Sequence, residues 1–222
     1  MALMAKEMKD AVDIGVNLTD LQKAQFNTYL SELKAWNENV NLTAIKEDED
    51  IISKHFFDSL SVLRAIPENT ATLADIGSGA GFPGLPIKIA RPDLKVTLIE
   101  SVGKKADFLK HIIQILKLND TEVVQARVEE IGRDPNLREQ FDVVTARAVA
   151  TLSTLCEYAL PLLRVGGVFI AQKGVMHPSP LEQEGTEGRS SPIEEINSAQ
   201  NAIAILGGKF GYGGIRPRTT DA

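Results

Sequence analysis

The feature that most constrains this chain is a glycine-rich stretch, LADIGSGAGFPG, at residues 73–84. It lies between two apolar runs, which predicts a turn between a buried strand and a helix. Gly77, Gly79 and Gly81 form G-x-G-x-G, a spacing common at S-adenosylmethionine sites, and Gly79 to Gly84 also fit the dinucleotide fingerprint G-x-G-x-x-G. The loop therefore predicts a nucleoside-containing cofactor, and the residues around it must indicate which one.

Predicted strands and helices alternate on both sides of this loop. The strand patterns lie at residues 72–76, 95–100, 122–127, 141–148 and 166–174. The helical patterns between them lie near residues 84–90, 103–118 and 151–163. This order predicts an α/β fold with a doubly wound, mainly parallel sheet. Ligands of such sheets bind beyond the carboxyl ends of the strands, where the glycine loop is expected to lie.

Two amphipathic patterns precede the alternating region. The first covers residues 19–40 and opens with a capping box formed by Thr19 and Gln22, and the second covers residues 49–64. We therefore predict an N-terminal helical extension packed on the core, a cofactor-binding core, a disordered insertion, and a C-terminal helix with an atypical tail. Their boundaries are residues 1–70, 71–174, 175–192 and 193–222.

Composition narrows the function classes. A chain of 222 residues with 43% hydrophobic content suits one globular domain with an appendage. The single cysteine, Cys156, excludes an intrachain disulfide and fits a cytoplasmic location. We expect no membrane span, no signal peptide and no metal site. The net charge is −6, so any contact with nucleic acid must come from a local basic patch.

The residues that flank the glycines favour a methyl donor over a dinucleotide. Glu100 closes the second predicted strand, where an acidic side chain binds ribose hydroxyls of either cofactor. Pro83 removes one of the amides that would hold a pyrophosphate, and Phe82 adds an apolar wall. Because a methyl donor has no phosphate to hold, we favour a methyltransferase. An NAD(P)-dependent oxidoreductase is the alternative.

Longer segments of the chain resemble the bacterial RsmG family, also called glucose-inhibited division protein B. The matching segments are WNENVNLTAI (36–45), KHFFDSL (54–60), LADIGSGAGFPGLPIKIARPD (73–93), LIESVGKKADFLK (98–110), ARVEEI (126–131), TARAVATL (145–152), AQKG (171–174) and EEINSAQNAIAILGGKF (194–210). The resemblance implies a Rossmann-like class I S-adenosylmethionine-dependent methyltransferase that acts on guanine N7 in 16S (small-subunit) ribosomal RNA. Its implied partner is that RNA or the small ribosomal subunit, and we expect a monomer.

The resemblance also implies which residues form the site. The positions implied to bind the cofactor are Gly77, Gly79, Gly81, Phe82, Glu100, Val128, Glu129 and Arg147. The positions implied to act in catalysis or to face the RNA are Asn41, His55, Arg127, Arg147 and Lys173.

Simpler interpretations of these residues stay open at this point. His55 precedes Asp58 by three residues, so a local His–Asp contact would serve only to stabilise a helix. Arg127 and Arg147 would each be explained by pairing with a carboxylate such as Glu129.

The C-terminal part departs from the family pattern. Residues 175–192 are rich in Pro, Ser, Glu and Gly, and we expect them to be a disordered insertion. The tail GYGGIRPRTTDA (211–222) lacks the two further strands that the resemblance implies, so the last strands of the sheet are expected to be missing. This departure keeps a third interpretation open, a catalytically silent RNA- or cofactor-binding paralogue.

Overall fold

The structure is a computed structural model that describes residues 15–147 and 150–172. The predictions for residues 175–192, for the C-terminal helix and tail, for the missing last strands and for Lys173 lie outside the described residues.

A parallel sheet of five strands forms the centre of the described structure. The strands are β1 (Thr72–Ile76), β2 (Lys95–Ile99), β3 (Thr121–Val124), β4 (Phe141–Arg147) and β5 (Leu163–Gln172). Their spatial order is β3-β2-β1-β4-β5, and every neighbouring pair is parallel. The chain builds outward from β1 in one direction and then in the other, which confirms the predicted doubly wound arrangement. The topological switch point lies between the carboxyl ends of β1 and β4.

Helices pack on the sheet, and further helices precede it at the N-terminal side of the chain. They are α1 (Asp20–Asn37), α2 (Asp48–Ile51), α3 (Asp58–Ser61), α4 (Gly84–Ala90), α5 (Gly103–Leu116), α6 (Val128–Ile131) and α7 (Leu152–Ala159). A π-helical turn, Ile52–Phe57, joins α2 to α3, and a 3₁₀ turn, Val62–Ala65, follows α3. The pattern predicted at 49–64 is therefore one helical segment with a widened turn, and such turns are frequent at functional sites. None of the described helices has the length and apolarity needed to cross a membrane.

Local signals account for the helix ends. The capping box at the start of α1 is confirmed, since the Gln22 amide donates to Thr19 Oγ1 and the Thr19 amide donates to Gln22 Oε1. Near the other end of the chain, α7 stops at Ala159 and continues as a 3₁₀ turn, Leu160–Leu162. Pro161 lies in this turn. The α-helix does not continue through it, because proline lacks the amide hydrogen that a longer α-helix would need.

The third predicted strand is shorter in the structure than its pattern indicates. The strand pattern at 122–127 forms only Thr121–Val124, and residues 125–127 instead lead into the short helix α6, which the apolar pattern did not predict. Four residues are too few for helical periodicity to be visible in a sequence.

The core has two parts, one on each face of the sheet. One part joins the N-terminal helices to α4, α5 and strand residues such as Leu73 and Val143, and it contains an aromatic contact of 5.1 Å between the ring centres of Phe26 and Phe56. The other part joins α6 and α7 to strand residues such as Val144. Because neighbouring strand residues point to opposite faces, each strand contributes to both parts.

Candidate functional site

The glycine loop lies at the carboxyl end of β1, directly beside the switch point. Gly77, Gly79 and Gly81 have φ angles of 65°, 58° and 100°, in the region that L side chains rarely adopt. The spacing recognised in the sequence therefore corresponds to a sharply turning backbone that only glycine adopts without strain.

Most amides of this loop are already bonded within the protein. The donor and acceptor pairs are Ser78 N to Ile99 O, Gly79 N to Glu100 Oε2, Gly81 N to Ser78 O, Phe82 N to Ser78 O, Gly84 N to Asp75 Oδ2 and Leu85 N to Gly81 O. Pro83 has no amide hydrogen to donate. A pyrophosphate needs free amides at the start of the helix, so this loop is poorly suited to a dinucleotide.

Two backbone amides hold the Glu100 carboxylate against the glycine loop. Its Oε1 accepts the Val102 amide at 2.8 Å and its Oε2 accepts the Gly79 amide at 2.8 Å. These two bonds hold the carboxylate against the loop, and each oxygen keeps a second lone pair for a hydroxyl donor.

Gly79 and Gly81 have different surroundings. A methyl group placed on Gly79 would meet nothing closer than Gly77 O at 3.8 Å, whereas one placed on Gly81 would lie 2.6 Å from the Tyr29 hydroxyl oxygen and against Leu85. Gly79 therefore borders open space, and Gly81 faces the protein interior.

A buried carboxylate, Asp75, fixes the base of the loop. It is fully buried, accepts the Thr145 hydroxyl at 2.9 Å and accepts the Gly84 amide at 3.2 Å. Burial raises the pKa of Asp75 to about 6, against the opposing effect of these hydrogen bonds. The carboxylate thus ties β1 to β4 and to the start of α4.

Arg147 ends β4 on the other side of the switch point. Its side chain is 15% exposed, and its guanidinium carbon lies 4.8 Å from the centre of the Phe82 ring. Its Nη1 lies 3.6 Å from Asp58 Oδ2, and its Nη2 lies 3.3 Å from His55 Nδ1. The guanidinium is therefore held next to the glycine loop by an aromatic ring, an imidazole and a carboxylate.

His55 lies in the π-helical turn and packs against the same ring. Its imidazole stacks on Phe82 with 4.6 Å between ring centres, and its Nε2 lies 2.8 Å from Thr43 Oγ1. Burial first, and then the charge of Arg147, lower the pKa of His55 to about 4. The imidazole is therefore neutral at physiological pH. The local contact with Asp58 is not what the described structure shows, since His55 contacts Arg147 and Thr43 instead.

Phe82 is 4% exposed and belongs to the core beneath these polar groups. Tyr29 of α1 stacks on it at 5.5 Å and donates its hydroxyl hydrogen to the Ala80 carbonyl. Phe82 thus supports Arg147 and His55 and lies mostly away from solvent.

The other predicted site residues lie around this centre or away from it. Val128 and Glu129 lie on α6 after β3, where the Tyr158 hydroxyl donates to Glu129 at 3.1 Å. Arg127 is exposed just before α6 and forms no ion pair with a described residue, so the predicted alternative of an Arg127–Glu129 pair is absent there. Asn41 is exposed in the loop before α2.

Several residues of the site were missed from the sequence. Thr43, Asp58 and Gln172 contact the Arg147–His55 group directly or hold its neighbours, and Tyr29 holds the glycine loop. Thr43, Asp58 and Gln172 all fall within segments that carry the family resemblance, which was the available signal, whereas Tyr29 does not. No group of side chains suited to a metal ion occurs within the described part of the chain.

Comparison with known proteins identifies the family. The profile described as "GidB: rRNA small subunit methyltransferase G" matches residues 22–201. Ribosomal RNA small subunit methyltransferase G of Roseiflexus castenholzii is 50% identical over 206 residues, which cover 93% of this chain and 82% of the relative. The protein of the same name from Chloroflexus aggregans is 49% identical over 88% of this chain and 76% of its own length.

Solved structures agree on the fold. An O-methyltransferase from Bacillus cereus, in complex with SAH, superposes with a TM-score of 0.53 at 22% identity, over 80% of this chain and 79% of that one. A putative transferase, PH0793 of Pyrococcus horikoshii, gives a TM-score of 0.51 at 18% identity over 68% of this chain and 53% of its own. With the family match, these results place the chain in the Rossmann-like class I fold and confirm the predicted methyltransferase over the oxidoreductase. The chain belongs to the GidB family of rRNA small subunit methyltransferases, enzymes that depend on S-adenosylmethionine.

Proposed function

We propose that this chain methylates N7 of a guanine in small-subunit ribosomal RNA, and that it does so in the cytoplasm as a monomer. The observation that carries the proposal is the position of Arg147. Its guanidinium lies at the switch point, 4.8 Å from the ring of Phe82 in the glycine loop. A base bound by Arg147 would therefore lie close to whatever the loop holds.

Different residues around the loop bind different parts of the cofactor. Gly77 and Gly79 let the backbone approach the cofactor closely, Gly81 lets the loop turn against α1, and the Glu100 carboxylate accepts the ribose hydroxyls through its remaining lone pairs. Val128 and Glu129 flank the adenine from α6. When bound, S-adenosylmethionine supplies an electrophilic methyl group on a sulfonium.

The reaction requires little acid–base catalysis by the protein. Guanine N7 has a lone pair in the plane of the base, which forms the new N–C bond while the S–C electron pair stays on sulfur. The positive charge passes to the purine, and no proton has to be removed. Catalysis then consists mainly of holding the two groups in contact and in line.

The polar residues supply that alignment. Arg147 donates to the guanine edge, and neutral His55 accepts from Arg147 and stacks on Phe82, so we assign His55 a positioning role. Its low pKa supports this assignment, because a general base is most effective with a pKa near the working pH. We assign Asn41 and Arg127, which are both exposed, to the RNA-facing side, where the Arg127 cation would bind phosphate. The family resemblance implies the same role for Lys173, which lies outside the described residues.

Chemical cleavage at N7-methylguanine tests the proposal. The protein is incubated with S-adenosylmethionine and either unmethylated small-subunit RNA or small subunits, and the RNA is then cleaved at N7-methylguanine with borohydride and aniline. We expect one new cleavage site. Arg147→Met should weaken it about 100-fold, the loss typical for removal of one transition-state donor, whereas the exposed control Arg133→Met should leave it unchanged.

Two results would contradict the proposal in different ways. Binding of S-adenosylmethionine without a new cleavage site on either substrate would favour the silent paralogue. Micromolar binding of NAD without binding of S-adenosylmethionine, both by calorimetry, would instead favour the oxidoreductase.

A further inference from the structure

Asp58 places a carboxylate beside the Arg147 guanidinium at the switch point. Its Oδ2 lies 3.6 Å from Arg147 Nη1, longer than the about 2.8 Å of a normal charge-assisted hydrogen bond. The Asp58 side chain is 47% exposed and that of Arg147 is 15% exposed. The two groups therefore form a donor and an acceptor that lie side by side, and the carboxylate can still be reached from solvent.

Both members of this pair are held on rigid supports. The backbone carbonyl of Asp58 accepts the Gln172 side-chain amide of β5 at 2.6 Å and the Ser61 hydroxyl at 2.6 Å. Arg147 lies over Phe82 and contacts His55. The backbone of Asp58 and the guanidinium of Arg147 are thus held next to each other by α3, β4 and β5, with the Asp58 carboxylate 3.6 Å from the guanidinium.

A donor next to an acceptor matches the edge of guanine. Guanine presents the acceptor O6 beside the donors N1–H and N2–H₂, so O6 would accept from Arg147 while the donors face the Asp58 carboxylate. Adenine presents a donor at position 6, which would face the donor Arg147, and an acceptor at N1, which would face the acceptor Asp58. The pair therefore selects for guanine by attraction and against adenine by repulsion.

The same carboxylate suits the charge that develops during the reaction. Methylation at N7 leaves a positive charge on the purine, which makes N1–H and N2–H₂ stronger donors. A fixed anion on that edge therefore binds the transition state more tightly than the unmethylated base.

We propose that Asp58 is a specificity residue that accepts hydrogen bonds from N1–H and N2–H₂ of the target guanine, whose O6 accepts from Arg147. This assignment rests on the proposed N7 methylation. The competing explanation is that Asp58 only neutralises and orients Arg147.

Inosine at the target position separates the two explanations, because it lacks only the N2 amino group. Ligated small-subunit RNA carries guanosine or inosine at the mapped site, and kcat/KM is measured for each. Wild-type protein should prefer guanosine by about 10-fold or more, since inosine leaves part of a charged acceptor unpaired. Asp58→Ala should lower kcat/KM on guanosine and reduce the preference to less than about 3-fold.

The control is Asp50→Ala on the same helical segment. Asp50 is 46% exposed and pairs with Lys54 at 2.8 Å, so its loss removes a similar carboxylate away from Arg147. This variant should keep the wild-type preference. Thermal unfolding and calorimetric binding of S-adenosylmethionine should show that Asp58→Ala is folded with an intact cofactor site.

Two outcomes overturn the assignment. Equal losses on guanosine and inosine in Asp58→Ala would show that the carboxylate only orients Arg147. Equal rates of wild-type protein on both substrates would show that the N2 amino group is not bound. Failure of the proposed function is distinguishable, because wild-type protein would then produce no N7-methylguanine at all.

Discussion

At the scale of single residues, Gly79 and Gly81 have different roles although both belong to the G-x-G-x-G pattern. Both have positive φ angles, but Gly79 borders open space, whereas Gly81 packs against Tyr29 and Leu85. We therefore expect the first position to serve the ligand, whereas the second serves the packing of the loop against α1. Only the neighbours from distant parts of the chain distinguish them.

Alanine at Gly79 should therefore affect mainly cofactor binding, and alanine at Gly81 mainly stability. Gly79→Ala should cost about 1–2 kcal/mol of unfolding free energy from backbone strain and should weaken S-adenosylmethionine binding strongly, because its methyl group fills the open space. Gly81→Ala should cost about 3–5 kcal/mol, because overpacking adds to the strain. Urea unfolding and calorimetry measure both. An equally destabilised pair with equal affinities would contradict the distinction.

His55 should titrate far below an ordinary histidine. Burial and Arg147 lower its pKa to about 4, so long-range ¹H–¹⁵N NMR should show a neutral ring at pH 6 and a midpoint near 4. Arg147→Met should raise that midpoint.

The same pKa shift makes stability depend on pH. Because the unfolded ring binds its proton near pH 6.5 and the folded ring does not, His55 stabilises the fold above that pH. This contribution is lost as the pH falls from about 6.5 to about 4. A midpoint near 6.5 in the folded wild type would contradict the described contacts.

At the scale of elements, α1 acts as a support for the glycine loop. Tyr29 is fully buried, donates to the Ala80 carbonyl and stacks on Phe82, while Gln22 donates to the Ile89 carbonyl of α4 at 2.8 Å. Burial also raises the pKa of Tyr29, so its hydroxyl remains a donor. A helix outside the α/β core thus holds the middle of the glycine loop and the C-terminal end of α4.

Removal of one hydroxyl tests this support. Tyr29→Phe leaves the buried Ala80 carbonyl without its donor, which should cost about 1–3 kcal/mol of stability and weaken S-adenosylmethionine binding several-fold. Ser31→Ala on the same helix removes an exposed hydroxyl bonded to the Asn27 carbonyl at 3.1 Å and should change neither quantity by much. Unchanged cofactor affinity in a destabilised Tyr29→Phe protein would show that α1 supports the fold but not the loop.

At the scale of the whole molecule, the N-terminal helices share one hydrophobic core with α4, α5 and one face of the sheet. Trp36, the single tryptophan of the chain, packs on Phe108 of α5 with 5.5 Å between ring centres. We therefore infer that the extension does not fold as a separate unit.

Cooperative unfolding is the expected consequence. Trp36 fluorescence reports the contact between α1 and α5, whereas far-ultraviolet circular dichroism reports all helices and strands. The two signals should give one coincident transition in urea, because one hydrophobic core includes residues of both parts. A fluorescence transition at lower urea than the dichroism transition would show an independently unfolding extension.

The elements of the core could be predicted because their signals are local. Alternating apolar residues predicted β1, β2 and β4 to within one residue of their observed ends, and the capping box at Thr19 marked the start of α1. The short helix α6 and the widened turn in Ile52–Phe57 could not be predicted, because neither leaves a distinct period in so few residues.

The sequence alone determined the fold class, the position of the cofactor loop and the family, because glycine conformation, strand alternation and matching segments are properties of neighbouring residues. Only the tertiary structure decided which side chains meet at the site. His55 and Arg147 are 92 residues apart, and Asp58 and Gln172 are 114 apart. They meet because the helical segment that carries His55 and Asp58 packs beside the carboxyl ends of the neighbouring parallel strands β4 and β5, which carry Arg147 and Gln172.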